Sequence, residues 1–523
     1  MIQFFLVAFL GSFVASLNSM TGQALTNRPI VLGPLVGLIM GDVVQGTIIG
    51  ATLELAYMGV MVIGISSSVN MAVAAILGTA YAISTGQGPE MAVTLAIPCS
   101  LLFTLVGQAL TPVKQALCRV GLSQAEKGDC RKFELWHYII WCYQWIVNGI
   151  VYFLALALGS SAVETLVNSA PETIISGLQA ATTIIPALGF GMLLNLCMSK
   201  ETFAFFFIGF VFSVYIGVNN IGVAVLAAAF ALIAFFFSKS GDNDEEVVEV
   251  AETGNANRLL DKKTLNKIYW RSYQLEADFG YERFQGAGFA YSMIPAIEKL
   301  YSDPEDVKEA LNRHAEFFNT TPTCVTLITG IACAMEEQKA KGEGVSGEAI
   351  SAVKVALMGP VAGIGDAIFW GSYRIVCASI ACQMGIAGNI FAPFIFLILF
   401  NIPNVLIHYF GLVKTYELGS NAIGKLYASG VMDKVALCCS IMGMTMIGAM
   451  TASLIGIRTA LSFTIGDSVI VLQEVLDSVM PEILSLAATF GLAGLMKKKQ
   501  PNVTLVVMSL MVIGIIGAWV GFF

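Results

Sequence analysis

Two carboxylates stand inside stretches that otherwise read as membrane spans. Glu54 is the ninth residue of GTIIGATLELAYMGVMVIG (Gly46–Gly64), a nineteen-residue run long enough to cross a bilayer core as a helix. A charge at mid-span costs roughly 2.5–3.5 kcal/mol even on a lenient insertion scale, and such groups normally face a cavity holding a substrate, an ion or a proton. Alternatively, Glu54 is protonated or paired to another helix and only holds the bundle together. Asp366 lies within MGPVAGIGDAIFWG (Met358–Gly371), where four glycines and a proline oppose a continuous helix. It reads either as a functional carboxylate beside a cavity or as the N-cap of a helix starting at Ala367, and the cap is preferred here.

Polar side chains that hydrogen-bond sugar hydroxyls sit near the first carboxylate. Thr21 and Gln23 end the opening apolar run, either as a re-entrant segment or as a surface loop. Ser66, Ser67, Ser68 and Asn70 follow the Glu54 stretch; capping explains one of them but hardly the whole set. Metal and redox chemistry find little support. The three histidines, His137, His314 and His408, have no HxxxH or CxxC nearby, and the eleven cysteines read as small apolar fillers. No metal, cofactor or catalytic residue is expected.

The elements that must position these groups are helices in a bilayer. Of 523 residues 56% are hydrophobic and 12% charged, against about 25% charged in soluble domains, so the chain is a polytopic all-α membrane protein. The net charge of −8 leaves no basic face for nucleic acid. Apolar runs at Met71–Ile83, Ala92–Leu110, Ile139–Leu158, Ile174–Met198 and Phe203–Phe237 fill the first half, the last long enough for two short segments. Lys114–Lys132 is basic and therefore cytoplasmic, and Trp136, Trp141 and Trp145 form an interfacial belt. An acidic linker over 238–258, with six acids in Asp242–Glu252, separates units at 1–237 and 259–523. The second unit opens with charged amphipathic helices over 259–349, outside the bilayer or on its surface, and continues as a membrane part over 350–523. Thr323–Met335 is too short to span and reads as a buried or re-entrant helix. Lys497–Lys499 places that junction in the cytoplasm.

Specific stretches carry a family resemblance. NRPIVLGPLVGLIMGD (Asn27–Asp42) and GATLELAYMG (Gly50–Gly59) resemble the IIC subunit of mannose-type sugar phosphotransferase systems. YERFQGAGF (Tyr281–Phe289), FFNTTP (Phe317–Pro322), AMEEQ (Ala334–Gln338) and VALMGPVAGIGDAIFWG (Val355–Gly371) resemble the IID subunit. The resemblance implies a multi-pass permease of the bacterial plasma membrane that moves a hexose or amino sugar while a soluble phospho-IIB, charged through IIA, phosphorylates it. It also implies broken helices, an inverted pseudo-symmetric IIC–IID pair, a homotrimer of such pairs, and a sugar held near Glu54, Gln23 and Asn70, with Thr21, Ser67 and Ser68 at hand. Asn319, in FFNTTP, and Asp366 are the second unit's candidate functional residues. IIC and IID are usually separate chains; here they are joined. At Val69-Asn70 mannose-specific members tend to carry Pro-Asp, which puts mannose itself in doubt, and many IID proteins have Asp-Pro at Asp366-Ala367. The rival function is a proton- or sodium-coupled transporter using Glu54 and Asp366. A carboxylate facing sugar predicts that Glu54→Gln weakens binding about ten-fold or more while folding survives.

Overall fold

The computed structural model describes residues 1–58, 70–169, 180, 184, 186–191, 193–195, 198–237, 258–280, 282–419, 431–465, 468–499, 501 and 503–522. The sequence expectations for Ser66–Ser68, for most of Ile174–Met198 and for the acidic linker fall outside these residues.

The first half begins with α1 (Ile2–Met20), α2 (Pro29–Met40), α3 (Val43–Ala56), α4 (Met71–Ser84), α5 (Pro89–Glu126) and α6 (Cys130–Ser169). The Phe203–Phe237 run divides, as its length suggests, into α7 (Phe203–Val214) and α8 (Asn220–Phe237). The second half starts with α9 (Lys262–Ser272), α10 (Gly286–Leu300), α11 (Pro304–His314) and α12 (Val325–Ala340), and α12 is buried along most of its length. Then come α13 (Gly347–Gly365), α14 (Arg374–Ile386), α15 (Ala392–Leu418) and α16 (Val431–Leu454). A short hairpin, β1 (Ser462–Ile465) with β2 (Ser468–Val471), precedes α17 (Leu472–Val479), α18 (Ile483–Lys499) and α19 (Val503–Val520). Among the described residues four helical stretches are long and apolar enough to span a membrane: Ile2–Met20, Cys130–Gly159, Gly347–Ile386 and Ala392–Leu418. The α17–α18 pair bends by 77°.

Two expectations are corrected. The Glu54 segment does not run as one helix through Gly64. Asp42 caps α3, its Oδ1 accepting the Gln45 amide at 2.9 Å, and the helix ends at Ala56, so Glu54 sits in the last turn rather than at mid-span. The glycine-rich Met358–Gly371 stretch does not break. A π-helical run over Asp366–Tyr373 joins α13 to α14 in one 40-residue helix, accommodating the sequence by loosening the helix instead of ending it. Asp366 therefore has helical dihedrals (φ −65°, ψ −42°) and caps nothing.

Glycines set the geometry that matters most. The antiparallel pair α2–α3 turns at Gly41, whose φ of 95° suits a residue without a Cβ. A Cβ on Gly33 would lie 2.6 Å from the Gly50 Cα, and one on Gly37 would lie 2.9 Å from the Gly46 Cα. The two backbones thus touch along two glycine pairs. That register carries the start of α2 to the end of α3, and the Pro29 carbonyl faces Gly50.

Contacts between the halves are equally close. Gly209 on α7 lies against the Thr445 backbone of α16, and Gly448 of α16 against the Phe206 backbone of α7. Gly385 on α14 meets Ala51 on α3. Ion pairs add to the junction: Arg271–Glu134 at 2.5 Å and Arg119–Glu282, whose Nε donates at 2.7 Å.

Candidate functional site

The connection Thr21–Arg28 between α1 and α2 is the irregular element around which the polar groups gather. Gly22, Gln23 and Leu25 all have φ near +60° (62°, 59° and 66°). Two of these are not glycine, and such backbone persists only where its surroundings over-determine it. Here the surroundings come from both halves. The Gly22 amide donates to the Tyr273 carbonyl at 2.7 Å, and the Leu25 amide to Asn18 Oδ1 at 2.8 Å. Asn401 Nδ2 donates to the Ala24 carbonyl at 3.1 Å. His408 stacks on Tyr273 with centroids 4.3 Å apart.

From one end of this connection Gln23 Nε2 donates to Glu276 Oε2 across the junction. Glu276 Oε1 accepts from Gln285 Nε2 at 3.0 Å, and Gln285 also bridges to Thr320, accepting its amide at 2.8 Å. Glu276, part-buried in the turn after α9, has two amide donors, and among the described residues no cation is in ion-pair contact with it, Lys114 acting only from a distance. Burial pushes its carboxyl up from the ordinary range, and the two amides oppose that only in part.

From the other end, Arg28 closes on Glu54. Its Nε donates to both carboxylate oxygens, at 2.8 and 3.1 Å, and its Nη2 also donates to Oε1. Arg28 Nη1 lies 2.8 Å from Met71 Sδ at the start of α4. Exposure is 2% for Arg28 and 0% for Glu54, so the pair is sealed from solvent. A second buried arginine reaches the same place: Arg374, first residue after the π-helical run, donates through Nη2 to the Met58 carbonyl at 2.9 Å. Two cations therefore converge on the C-terminal end of α3, the end that favours positive charge.

The other expected residues are placed as follows. Asn70 caps α4, its Oδ1 accepting the Val73 amide at 3.2 Å. Thr21 donates to the Leu17 carbonyl at 2.8 Å and follows the last turn of α1. Asp366 accepts from the Thr321 hydroxyl at 2.6 Å, and Asn319 lies exposed two residues earlier in that loop. Ser67 and Ser68 are outside the described residues. Gln23 and the Arg28–Glu54 pair thus lie at the two ends of one connection, Asn70 precedes the Met71 that Arg28 contacts, and Asp366 lies close enough to Glu276, the partner of Gln23, to add to the rise that burial gives its carboxyl. Among the described residues no group of three His, Cys, Asp or Glu side chains is placed to hold a metal.

Sequence reasoning missed Arg28, Glu276 and Gln285 as site residues. The signal for Arg28 was present, since it is the sole Lys or Arg before Lys114. The Glu54–Arg28 pair bears on the expectation that Glu54→Gln leaves folding intact: the change would take the counter-charge from a buried guanidinium, so a loss of stability is expected instead.

A separate buried knot lies among α10–α13. Glu336 accepts from Arg313 Nε at 3.0 Å, His314 Nε2 at 2.8 Å and the Tyr301 hydroxyl at 2.6 Å. Burial alone would raise the Glu336 carboxyl, but His314 and Arg313 outweigh it and hold it down at about 2. Burial pushes His314 down to about 4 against the pull of Glu336.

A bundle of apolar helices, four of them among the described residues long enough to span, with a strained polar turn and buried charges beside it, fits a multi-pass membrane protein. Comparison with known proteins gives the particular kind. The family described as "PTS system mannose/fructose/sorbose family IID component" matches residues 259–523, and "PTS system sorbose-specific iic component" matches residues 1–233. The chain belongs to the mannose/fructose/sorbose family of phosphotransferase-system sugar permeases, with IIC and IID components joined in one polypeptide, and is a multi-pass protein of the bacterial cell membrane. The fructose permease IID component of Bacillus subtilis (strain 168) is 39% identical, covering 51% of this chain and 98% of its own length. The mannose-specific EIID component of Escherichia coli (strain K12) is 34% identical, over 52% of this chain and 97% of its own length. The fructose permease IIC component of Bacillus subtilis is 28% identical, over 42% and 82%. A chain from a solved structure of the mannose transporter ManYZ with microcin E492 is 33% identical and covers 51% of this chain and 99% of its own, with a TM-score of 0.31. Permeases of this family work with IIA and IIB proteins and a sugar.

Proposed function

We propose that the chain takes up a hexose or amino sugar, with fructose the first to test, and passes it to phospho-IIB for phosphorylation. The histidines that carry phosphate sit on the separate IIA and IIB proteins. Units at 1–237 and 259–523 act as an inverted pair, three pairs forming the working trimer. The sugar is held in the first unit by the Thr21–Arg28 connection, with Gln23, Glu54 and Asn70 as its polar contacts and Thr21, Ser67 and Ser68 beside them. The observation that carries this reading is the strained turn at Gly22–Leu25, bound from both halves and bracketed by two carboxylates. A paired-unit arrangement is supported by the two irregular stretches, one per half, each closing with a buried arginine, Arg28 or Arg374, that reaches the end of α3. Fructose is favoured because relatives of both halves carry that name.

The test uses the whole chain in proteoliposomes with fructose, mannose, sorbose and N-acetylgalactosamine outside. Accumulation of sugar phosphate that requires phospho-IIB supports the proposal. Free sugar accumulating with a proton or sodium gradient, and without phospho-IIB, overturns it in favour of the coupled transporter.

A further inference from the structure

A groove of about 850 Å³ runs between α9 and the C-terminal end of α15, its Tyr269 hydroxyl 2.9 Å from that of Tyr273. Its floor is apolar, formed by Leu260, Leu265, Tyr269, Tyr409, Leu412 and Val413. Its rim is basic. Lys262 and Lys263 stand exposed on the first turn of α9, and among the described residues neither they nor Lys267 pairs with a carboxylate. Arg258 closes one end, donating to the Tyr416 and Glu417 carbonyls at 2.9 and 2.6 Å and lying 4.7 Å over the Tyr416 ring. Glu417, the acid in the lining, is already paired with Lys414 at 3.0 Å.

The surroundings are those of a membrane boundary. Helix α15 is long and apolar enough to span, and Ile402, Leu406, Tyr409 and Phe410 are 53%, 49%, 41% and 54% exposed along it. Trp270, 63% exposed at the far end of α9, is suited to an interfacial position. Arg258, Lys262, Lys263, Lys267 and Arg271 within one short segment mark the cytoplasmic side, where the leaflet is anionic. An apolar trough opening towards the bilayer under a rim of uncompensated ammonium groups matches an acidic phospholipid: acyl chains along Tyr409 and Val413, headgroup phosphate at Lys262 and Lys263.

We propose that this groove is a binding site for an acidic phospholipid of the cytoplasmic leaflet, which clamps α9 to α15. The test compares the purified whole chain in mixed micelles containing phosphatidylglycerol, phosphatidylcholine or water-soluble glycerol phosphate. Readouts are the thermal melt and the lipid retained in native mass spectra. Phosphatidylglycerol should raise the melt and stay bound, whereas phosphatidylcholine and glycerol phosphate should do neither. Lys262→Ala with Lys263→Ala should weaken retention by about ten-fold or more. Asn266→Glu, at an exposed position in the lining, should do the same by repulsion. Equal retention of both lipids, an effect reproduced by glycerol phosphate, or unchanged retention in both variants would overturn the proposal. So would phosphatidylglycerol binding that emerges only after the acidic stretch Asp242–Glu252 is deleted, since the chain's own acids would then be the occupant.

Discussion

Glu54 and Glu276 are held from opposite ends of one eight-residue connection, yet in different ways. Glu54 meets a guanidinium from its own half and is closed to solvent, so the loss of either partner is costly. Glu276 meets two amides, one from each half, and among the described residues no cation pairs with it directly. Burial raises its carboxyl, and its contact with Gln23 is a hydrogen bond across the halves rather than an ion pair. The difference separates a clamp that shapes the first half from a contact that joins the halves.

The comparison breaks most easily at the clamp. Glu54→Gln or Arg28→Met should destabilise the protein by about 3–5 kcal/mol, because each leaves one buried partner uncompensated. The double variant should be less damaging than the sum, and a double-mutant cycle of thermal melts measures the coupling. Additive losses would mean that the pair does not act as one unit. Gly33→Ala or Gly50→Ala should cost about 1–3 kcal/mol by forcing α2 and α3 apart, and should weaken the coupling measured in that cycle.

At the junction, Gln23→Ala removes one donor from Glu276 and should cost about 1–3 kcal/mol or less, since Gln285 remains. The Glu336 knot offers a contrast in pH. Its carboxyl, ordinarily near 4.5, is held at about 2, so the stability it supplies is complete above 4.5 and is lost as pH falls towards 2. His314, ordinarily near 6.5, is pushed to about 4, so the neutral ring is favoured in the fold, and stability also declines as pH drops from 6.5 towards 4. Melts should therefore fall on acidification below 6.5, less so in Glu336→Gln at matched baseline. Cutting the acidic linker should have the smallest effect. The glycine contacts of α7 with α16 and of α3 with α14 hold the halves without it, so uptake and melt should match the intact chain; separation of the halves on cleavage would contradict this.

Much of this was legible in the residues. The apolar run Met71–Ile83 gave α4 almost to the residue, whereas α5 and α6 run well beyond the runs at Ala92–Leu110 and Ile139–Leu158; the division of Phe203–Phe237 into two helices followed from length. Glu54 stood out because an acid in an apolar run is expensive. Its partner was harder to see, since pairing depends on the glycine register of α2 and α3, and GPLVGLIMGDVVQGTIIG shows that register only once the turn is placed at Gly41-Asp42. Asp366 was misread because four glycines suggest a break, whereas a π-helical run relieves the same strain within the helix. Glu276 and Gln285 lie in a charged amphipathic stretch where one more acid or amide carries no local signal. Only the fold, by threading Thr21–Arg28 against the second half, gives them a partner.

The central claim is that the Thr21–Arg28 connection is where sugar is met, with Gln23 free to exchange Glu276 for a sugar hydroxyl. The most direct test is equilibrium binding of fructose and the three other sugars to purified Gln23→Ala and wild type, each below its melting transition. The account predicts a ten-fold or greater loss of affinity for the sugar that wild type binds best, roughly the value of one hydrogen bond to a charged or polar partner, with only a small fall in the melt. Binding equal to wild type, with the fold intact, would remove the connection from the sugar site.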